Sequence, residues 1–427
     1  MMGGMDLLDD LQARGLIHDS TDRAALAERL ESGPISVYVG FDPTADSLHV
    51  GNLVGQVMLR RFQLAGHKPF PLAGGATGMV GDPSGRSDER NLLDSAALQA
   101  NLAKIKVQLE RLLDFSPGPV QAELVDNATW TEPMSILDFL RDVGKHITVN
   151  QMLAKESVKS RMDSENGLSF TEFSYMLLQA NDFCELRRQR GVEMQMGGSD
   201  QWGNITAGID QIRRRLGVTA FGLTWPLLTR SDGQKMGKSV SGALWLDPQK
   251  TSPYQFRQYW MQLPDDDVER FLMQLTLRPV SEIIDVMDAH RADPGKRLAQ
   301  RALAGDVTAL VHGQDAADAA EQAAAVLFGG DPLEASADAF DVVRAEVPST
   351  IVDAGALDDL VGLLVRTGLA SSNGDARRGI NQRGFRINGR QVSADQTSLA
   401  DEKLLLSRYV LLRKGKSSYH VVEISST

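Results

Sequence analysis

Two short motifs in this chain carry residue types that could bind a nucleoside triphosphate. The first, DSLHVGN at 46–52, places His49 and Asn52 in the first turn of a predicted helix. Unpaired backbone N–H groups and the positive end of the helix dipole favour phosphate there, and a histidine can donate a hydrogen bond to a phosphate oxygen whose charge grows during reaction. Gly51 would let a ligand approach closely. A lone histidine at a helix start is more often structural, so this motif is weak evidence by itself.

The second motif, KMGKS at 235–239, places two ammonium groups on a short loop that contains a glycine. Lys235 and Lys238 could close over the β- and γ-phosphates as a clamp. A solvated basic turn would be the simpler interpretation if this motif stood alone. The sequence contains no G-x-x-x-x-G-K-[ST] motif, which argues against a Walker-type phosphate loop. Together, the two motifs are suited to hold a triphosphate and to stabilise charge as pyrophosphate leaves.

A stripe of polar side chains follows the helical spacing i, i+4, i+7 and consists of Tyr175, Gln179 and Asp182. An exposed polar face is the usual interpretation of such a stripe. This one contains neither Lys nor Glu, however, and it could line a pocket. Asp182 could accept a hydrogen bond from a phenol, with Tyr38 as a second partner. Two further side chains offer groups suited to an ammonium ion, Asp82 and Gln201.

The elements around the first motif predict a parallel α/β sheet. Residues 35–41 are β-branched and aromatic and indicate a buried strand. Ser47 is the expected N-cap of the helix that follows, and Gly66 the expected terminator. A second strand is predicted at 69–73. Strand, helix and strand in this order are typical of a doubly wound, Rossmann-like sheet, whose ligands bind beyond the carboxyl ends of the strands.

A second set of signals places the polar stripe on a long helix. Ser169 to Glu172 is a capping-box pattern, and the helix is expected to run to about Arg190 before Gly191. Later segments change in character: they are helical to about residue 330, rich in Gly and Pro after it, and mixed α/β at the end. The predicted domains are 1–242 with a helical insertion at about 120–165, a helical domain at 243–330, a linker at 331–350 and a small α/β domain at 351–427.

Bulk properties limit the possible classes of protein. A chain of 427 residues is expected to hold more than one domain. It has no apolar run long enough to span a membrane, and its acidic N-terminus shows no signal or transit pattern, which predicts a cytoplasmic protein. Cys184 is the single cysteine, so no intrachain disulfide or cysteine-rich metal site is expected, and a buried apolar role is predicted.

Charge is distributed unevenly along the chain. The formal net charge is −11, yet the segment 366–427 holds 11 basic and 5 acidic residues, a local charge of +6. The remainder of the chain therefore carries −17. Such asymmetry is typical of a nucleic-acid-binding module attached to an acidic body, although a solvated basic face is an equally good interpretation of this segment alone.

Longer stretches carry a family resemblance. They are YVGFDPTADSLHVGN, GGATGMVGDPSGRSDER, YMLLQANDF, GGSDQWGNITAG and KMGKS. With these the chain resembles the bacterial tyrosyl-tRNA synthetases, enzymes of class I, over nearly its whole length. The resemblance implies activation of L-tyrosine by ATP, with Mg²⁺ carried on the ATP, release of pyrophosphate, and transfer of the tyrosine to the 3′ end of tRNA(Tyr). It also implies a homodimer joined through the insertion, an anticodon-side helical domain and a C-terminal RNA-binding domain.

The resemblance assigns roles to individual residues. ATP would be bound by Gly40, Asp42, Thr44, His49, Gly51, Asn52, Gly198, Asp200, Lys235 and Lys238. The catalytic set would be His49, Asn52, Lys235 and Lys238. Tyrosine would be bound by Tyr38, Asp82, Tyr175, Gln179, Asp182 and Gln201, with Tyr38 and Asp182 on the hydroxyl and Asp82, Tyr175 and Gln179 on the ammonium group. No metal held by the protein itself is expected.

Three positions depart from the family pattern. Asn52 stands where a second histidine is most common, and an amide can still donate a hydrogen bond to a ribose. Gly237 replaces the usual serine of the lysine loop. Arg86 stands where lysine is common and keeps a cationic group.

Other functions are compatible with parts of the pattern. A non-catalytic RNA-binding relative of a synthetase would not need His49 and both lysines. An enzyme for tryptophan would not need the phenol partners Tyr38 and Asp182. A generic adenylyltransferase would share the histidine-bearing helix start but would not explain the polar stripe. Tyrosine-dependent pyrophosphate exchange distinguishes these alternatives.

Overall fold

The computed structural model describes residues 6–83, 95–155, 158–159, 162, 167–231, 233, 236, 238–239 and 242–425. The chain forms two compact units. The first comprises Met1–Ser252 with Trp260–Val311, and the second comprises Pro253–Tyr259 with His312–Thr427. Within the described part of the chain, no helix is both long and apolar enough to cross a bilayer.

The first unit contains a sheet of six described strands. In chain order they are β1 Asp19–Ser20, β2 Ser36–Phe41, β3 Lys68–Ala73, β4 Val125–Asp126, β5 Met194–Gly198 and β6 Phe221–Trp225. Their spatial order is β1-β6-β5-β2-β3-β4, and every neighbouring pair is parallel except β1 with β6. The predicted doubly wound parallel sheet is therefore confirmed. The strand order reverses between β2 and β5, and a ligand crevice is expected at the carboxyl ends of these two strands.

Helices and short turns connect these strands. The helices up to β6 are α1 Leu7–Ala13, α2 Arg23–Glu31, α3 Val50–Leu64, α4 Ser95–Leu112, α5 Ala128–Thr131, α6 Ile136–Asp138, α7 Val149–Leu153, α8 Phe170–Arg190 and α9 Trp202–Leu216. A π-helical turn spans Phe139–Val143, and 3-10 turns span Thr77–Met79, Gly144–His146 and Ser199–Gln201. After β6 come β7 Lys238–Ser239, β8 Gly242–Ala243, α10 Pro253–Met261, α11 Asp265–Leu275, α12 Val280–Ala292, a 3-10 turn at Pro294–Lys296 and α13 Leu298–His312.

The start of α3 differs from the prediction. Ser47 is not its N-cap; the cap is His49, two residues later. The backbone explains the shift, because the Leu48 carbonyl accepts a hydrogen bond from Leu246 N–H at 2.9 Å and is not available to a helix. The Ser47 hydroxyl instead donates to its neighbour's carbonyl at 2.7 Å. The helix ends at Leu64, just before Gly66, as predicted.

The long helix α8 begins and ends where its sequence signals predict. The Ser169 side chain accepts a hydrogen bond from the Glu172 N–H at 3.2 Å and caps the helix. Gly191 terminates it in the left-handed conformation, with φ at +68°, which favours glycine. Cys184 on this helix is buried, which confirms its predicted apolar role.

The second unit combines helices with a five-stranded sheet of described strands. The helices are most of α10, as Pro253–Tyr259, and α14 Gln314–Leu327, α15 Ala337–Glu346, α16 Leu360–Arg366 and α17 Asn373–Asn381, with 3-10 turns at Pro332–Glu334 and Ala354–Asp358. The strands β9 Ser349–Val352, β10 Phe385–Ile387, β11 Arg390–Gln391, β12 Tyr409–Lys414 and β13 Ser418–Ile424 lie in the order β11-β10-β12-β13-β9. The side chains of α16 and α17 form one core with β10, β12 and β13.

The segment expected to be a linker, 331–350, has regular structure. It contains α15 and the start of β9, which pairs in parallel with β13. Phe340 and Val343 of α15 are buried with Tyr409 and Tyr419 in one apolar cluster. The Gly and Pro residues here therefore separate short elements of one unit, because the helix between them carries an apolar face that must be buried.

Candidate active site

A cleft of about 430 Å³ lies at the carboxyl edge of the first sheet, at the predicted switch point between β2 and β5. The ends of β2, β5 and β6, the start of α3 and one face of α8 form its walls. It brings together predicted residues from all these elements: Tyr38, Gly40, Asp42, Thr44, His49, Gly51, Asn52, Asp82, Tyr175, Gln179, Asp182, Gly198, Asp200 and Gln201.

The lysine motif is described in part. Lys235, Gly237 and the departure at Arg86 lie outside the described residues. Lys238 is described through its backbone in β7 and not through its side chain. The roles of both lysines therefore stay predictions.

One end of the cleft holds the two groups predicted to bind a phenol. Tyr38 is 1% exposed, and its hydroxyl has no hydrogen-bond partner among the described residues. The Asp182 carboxylate accepts hydrogen bonds from Asn127 Nδ2 at 2.9 Å and from Trp130 Nε1 at 2.8 Å. These two donors fix the carboxylate against the cleft wall. Sequence reasoning missed Asn127 and Trp130, because no spacing pattern connects them to a helix about fifty residues later.

Burial controls the protonation of this pair. It raises the pKa of Asp182 to about 7, even though the hydrogen bonds from Asn127 and Trp130 favour the ionised form. Burial, and then the nearby Asp182 charge, raise the pKa of Tyr38 well above its ordinary value of 10.0. Tyr38 is thus a neutral hydroxyl beside a carboxylate that titrates near neutral pH. Such a pair suits a ligand group that both donates and accepts a hydrogen bond.

A chain of amides lines another part of the cleft. Gln201 Nε2 donates to Asp82 Oδ2 at 2.7 Å, and Gln179 Nε2 donates to Gln201 Oε1 at 3.2 Å. Asn204 Nδ2 donates to Gln179 Oε1 at 2.8 Å, and Asn204 Oδ1 accepts from Lys155 Nζ at 2.5 Å. Burial lowers the pKa of this lysine. Asn204 and Lys155 were not predicted, and together they orient the amides around the Asp82 carboxylate.

Tyr175, predicted as an ammonium contact, also binds a side chain of the cleft. Its hydroxyl donates to Asp42 Oδ2 at 2.8 Å, while the Thr77 hydroxyl donates to Asp42 Oδ1 at 2.8 Å. Burial raises the pKa of Tyr175 well above 10.0, so its phenol remains neutral. The phenol oxygen keeps acceptor capacity for a cation, and the two hydroxyls hold Asp42 in a fixed orientation.

The start of α3 is built around His49. Its Nδ1 accepts a hydrogen bond from Gly51 N–H at 3.0 Å, and Asn52 Oδ1 accepts from His49 N–H at 3.1 Å. Because Nδ1 is an acceptor, the neutral ring carries its proton on Nε2, which can donate to an anion. A Cβ at position 51 would lie 2.7 Å from His49 Cε1. Glycine is therefore required at position 51 because the His49 imidazole folds back over this residue.

The backbone connects the two signature motifs. Val50 N–H donates to the Leu244 carbonyl at 3.0 Å, and Leu246 N–H donates to the Leu48 carbonyl at 2.9 Å. The ring of Trp245, between these bonds, has its centroid 6.2 Å from that of His49. The segment that leaves the lysine motif is thus paired with the segment that enters the histidine motif.

No group of three or more His, Cys, Asp or Glu side chains among the described residues is arranged to hold a metal ion. The cleft instead offers a helix N-terminus with a histidine donor, an amide-lined carboxylate and a phenol-matched pair. These groups can bind an aromatic amino acid with a hydroxyl, and beside it a phosphate-bearing nucleotide.

Comparison with known families agrees with this chemistry. Residues 30–329 match the family model described as tRNA synthetases class I (W and Y). Residues 339–422 match a model described as the tyrosine–tRNA ligase SYY-like C-terminal domain. The two matches together cover most of both compact units.

Similar proteins extend over nearly the whole chain. A tyrosine–tRNA ligase of Opitutus terrae is 54% identical over 424 residues, which cover 98% of this chain and 100% of that protein. The tyrosine–tRNA ligase of Bacillus caldotenax is 46% identical over 419 residues, covering 98% and 99% of the two chains. A C-terminally truncated mitochondrial tyrosyl-tRNA synthetase of Aspergillus nidulans has a TM-score of 0.69 at 35% identity, covering 76% of this chain and 94% of its own.

Proposed function

The chain belongs to the class I tRNA synthetases for tryptophan and tyrosine, and from this membership we propose how its cleft carries out the reaction. It is an ATP-dependent tyrosine–tRNA ligase, a function supported by the 54% identity to a ligase of that name over nearly the full chain. The observation that carries the choice of amino acid is that the Tyr38 hydroxyl, which has no hydrogen-bond partner among the described residues, and the buried Asp182 carboxylate line the same cleft.

We assign the tyrosine side chain to this end of the cleft. The substrate hydroxyl donates to the Asp182 carboxylate and accepts from the Tyr38 hydroxyl, which satisfies a buried group that otherwise has no described partner. The ammonium group lies against Asp82, with Tyr175, Gln179 and Gln201 as neighbouring acceptors. A phenylalanine ring offers neither a donor for Asp182 nor an acceptor for the Tyr38 hydroxyl, and a tryptophan indole offers a donor but no acceptor, so with either ring the buried Tyr38 hydroxyl stays unsatisfied.

The activation step needs positioning and charge stabilisation. The tyrosine carboxylate is ionised at neutral pH and attacks the α-phosphorus of ATP without a general base. The bond to the bridging oxygen breaks, and pyrophosphate leaves. The N–H groups of Val50, Gly51 and Asn52 are already bonded within the protein, so the start of α3 contributes the positive end of its dipole. His49 Nε2–H, this dipole, Lys235 and Lys238 stabilise the growing phosphate charge. We expect Mg²⁺ to enter the site together with ATP, bound to the ATP phosphates.

The remaining predicted residues form the nucleotide part of the site. Gly40, Asp42, Thr44, Gly51, Asn52, Gly198 and Asp200 line the same cleft. Asn52 is committed to capping α3 through its side-chain oxygen, so its contribution to ribose binding comes from the amide NH₂. Its role is therefore partly to hold His49 in place.

The second step transfers the tyrosyl group to the terminal adenosine of tRNA(Tyr). We propose that the second unit binds this RNA through phosphates and shape. It presents exposed arginines on α17 and on and around β10 and β11, namely Arg377, Arg378, Arg383, Arg386 and Arg390. Because its RNA substrate works in translation, we expect the enzyme in the cytoplasm.

An exchange assay tests the proposed specificity. Purified enzyme should transfer label from pyrophosphate into ATP in the presence of L-tyrosine. Discrimination against phenylalanine of about 10⁵-fold is the magnitude established for tyrosyl enzymes of this class. A rate with phenylalanine or tryptophan within tenfold of the tyrosine rate would contradict the assignment of Tyr38 and Asp182.

The pH dependence of tyrosine use follows from the raised pKa of Asp182. In the free enzyme this carboxyl is ionised above about pH 7 and protonated below it. The protonated form accepts poorly from the substrate hydroxyl, so kcat/KM for tyrosine should fall about tenfold per pH unit once the pH is well below 7. Exchange rates from pH 5.5 to 8.5 measure this. At saturating tyrosine the profile of kcat/KM for ATP should lack the inflection, and a flat tyrosine profile would count against the prediction.

The predicted homodimer has a candidate surface in the insertion. Ile136, Leu137 and Leu140 are 75%, 73% and 53% exposed. Large apolar side chains grouped along one segment mark an interaction surface. We propose that a second copy of the chain covers them.

Replacing Leu137 by aspartate should shift the enzyme from dimer to monomer. A charge buried in an apolar interface costs several kcal/mol unless it is paired, enough to change the dissociation constant by orders of magnitude. Sedimentation velocity measures the change. Leu64→Asp on α3, at a residue that is 49% exposed and lies outside the insertion, is the control and should remain dimeric. A dimeric Leu137→Asp variant would exclude this surface.

A further inference from the structure

The chain that leads into the lysine motif is held by a side chain from another part of the first unit. Asp267 lies in the first turn of α11 and is 1% exposed. Its Oδ1 accepts a hydrogen bond from the Ser231 N–H at 2.9 Å, and its Oδ2 accepts from the Ser231 hydroxyl at 3.1 Å. One carboxylate thus holds both the backbone and the side chain of the same residue.

Arg270, one turn later on α11, completes this contact. It donates to Asp267 Oδ1 at 2.8 Å and to the Thr229 carbonyl. The ion pair therefore binds two residues, Thr229 and Ser231, of the segment that precedes the lysine motif. Hydrogen bonds in which one partner is charged are about twice as strong as neutral ones, and a carboxylate in the first turn of a helix is further favoured by the helix dipole.

The segment held by this pair lies between the cleft and the lysines. Trp225 and Leu227, at the end of β6 and just after it, line the cleft. Thr229 and Ser231 follow directly, and Lys235 comes four residues later. The far side of the motif is fixed by the pairing of residues 244–246 with the start of α3. The described residues that flank the lysine motif are consequently held on both sides, Ser231 by Asp267 and residues 244–246 by the start of α3.

We propose that Asp267 is a positioning residue for the activation step, because it fixes the entry of the lysine motif through Ser231 and Arg270. Asp267 does not line the cleft. Its effect is therefore expected on the nucleotide step and not on tyrosine recognition. The inference depends on the proposed function, in which Lys235 and Lys238 contact the triphosphate.

The test is the Asp267→Asn variant. Its amide keeps one acceptor oxygen, but it loses the acceptor for the Ser231 hydroxyl and the negative charge that pairs with Arg270, so the segment at Ser231 should shift. A displacement of about 1 Å in a positioning element can cost on the order of 10²-fold in rate. We expect the single-turnover rate of tyrosyl-adenylate formation to fall about 10- to 100-fold, with the dissociation constant for tyrosine, measured by equilibrium dialysis without ATP, within about twofold of the parent.

A matched control separates position from general stability. Asp306 forms a bidentate pair with Arg278 in the same unit, with distances of 2.8 and 2.7 Å, and neither residue is bonded to Thr229 or Ser231 in the described part of the chain. Asp306→Asn should leave the adenylate rate unchanged. Ser231→Ala removes one hydrogen bond to Asp267 and should lower the rate of adenylate formation about two- to fivefold. If Asp267→Asn does not fold, Ser231→Ala is the variant that tests the inference.

The outcomes are distinguishable. An adenylate rate within twofold of the parent in the folded Asp267→Asn variant, or in Ser231→Ala if Asp267→Asn is unfolded, would overturn the inference. The inference would also be overturned if the variant lost tyrosine affinity by the same factor as it lost rate. A parent enzyme without tyrosine-dependent adenylate formation would instead overturn the proposed function.

Discussion

In the Asp182→Asn variant, kcat/KM for tyrosine activation is expected to fall by about 10²- to 10⁴-fold. The carboxylate stands between two donors, Asn127 Nδ2 and Trp130 Nε1. An asparagine at this position must turn its NH₂ toward one of them. The variant therefore loses a charged acceptor for the substrate phenol, worth about 1.5–3 kcal/mol, and leaves a buried donor unpaired, at a cost of about 1–3 kcal/mol.

Tyrosine-dependent pyrophosphate exchange measures this loss. Glu185→Gln is the matched control, because Glu185 is a buried acid on the same helix that contacts Arg188 and Arg215 and does not line the cleft. This control should keep its KM for tyrosine within about threefold, since it contacts no substrate group. An Asp182→Asn enzyme within fivefold of the parent would show that the phenol is bound elsewhere.

Removal of the His49 imidazole is expected to lower the rate of adenylate formation by about 10²- to 10³-fold, with tyrosine affinity unchanged. The reason is that Nε2–H donates to charge that grows as pyrophosphate leaves, so the bond is stronger in the transition state than in the bound substrates. Single-turnover adenylate formation, followed at saturating tyrosine, measures the loss.

His49 has a second role as the N-cap of α3, and two variants separate the roles. His49→Ser keeps a side-chain oxygen that can cap the helix, whereas His49→Ala does not. The rate of adenylate formation should fall by the same factor in both variants. His49→Ala should in addition lower the free energy of unfolding by about 1 kcal/mol in a denaturant titration. If His49→Ser were as active as the parent, the imidazole would have only a structural role.

Much of the framework follows from local patterns. The apolar run at 35–41 and the signals at Ser169 and Gly191 correspond to β2 and to the ends of α8. Strand burial, capping and termination are decided within a few residues, so the sequence carries them directly. The i, i+4, i+7 stripe on α8 likewise predicted three residues of the cleft, because a helix necessarily brings them to one face.

The partners of the site residues could not be predicted in the same way. Asn127 and Trp130 reach Asp182, and Asn204 with Lys155 orients Gln179, only because tertiary folding brings distant segments together. The start of α3 was misplaced for a related reason. Its position depends on pairing with residues 244–246, which no local signal around Ser47 reveals.

Asn52 illustrates how structure changes the meaning of a motif residue. In the sequence it stands as a departure from a two-histidine signature. In the folded protein its side-chain oxygen accepts from the His49 N–H, which completes the cap of α3. An amide at this position thus supports the histidine that remains, and the departure is compatible with an active site.

The central claim is that one cleft holds a phenol at one end and a nucleotide at the other. A crystal structure of the enzyme with a non-hydrolysable tyrosyl-adenylate analogue tests it most directly. The phenol oxygen should lie within about 2.6–3.2 Å of both the Tyr38 hydroxyl and the Asp182 carboxylate, with the phosphate beside the N-terminus of α3. A tyrosyl ring bound away from Tyr38 and Asp182, or a phosphate remote from His49, would contradict it.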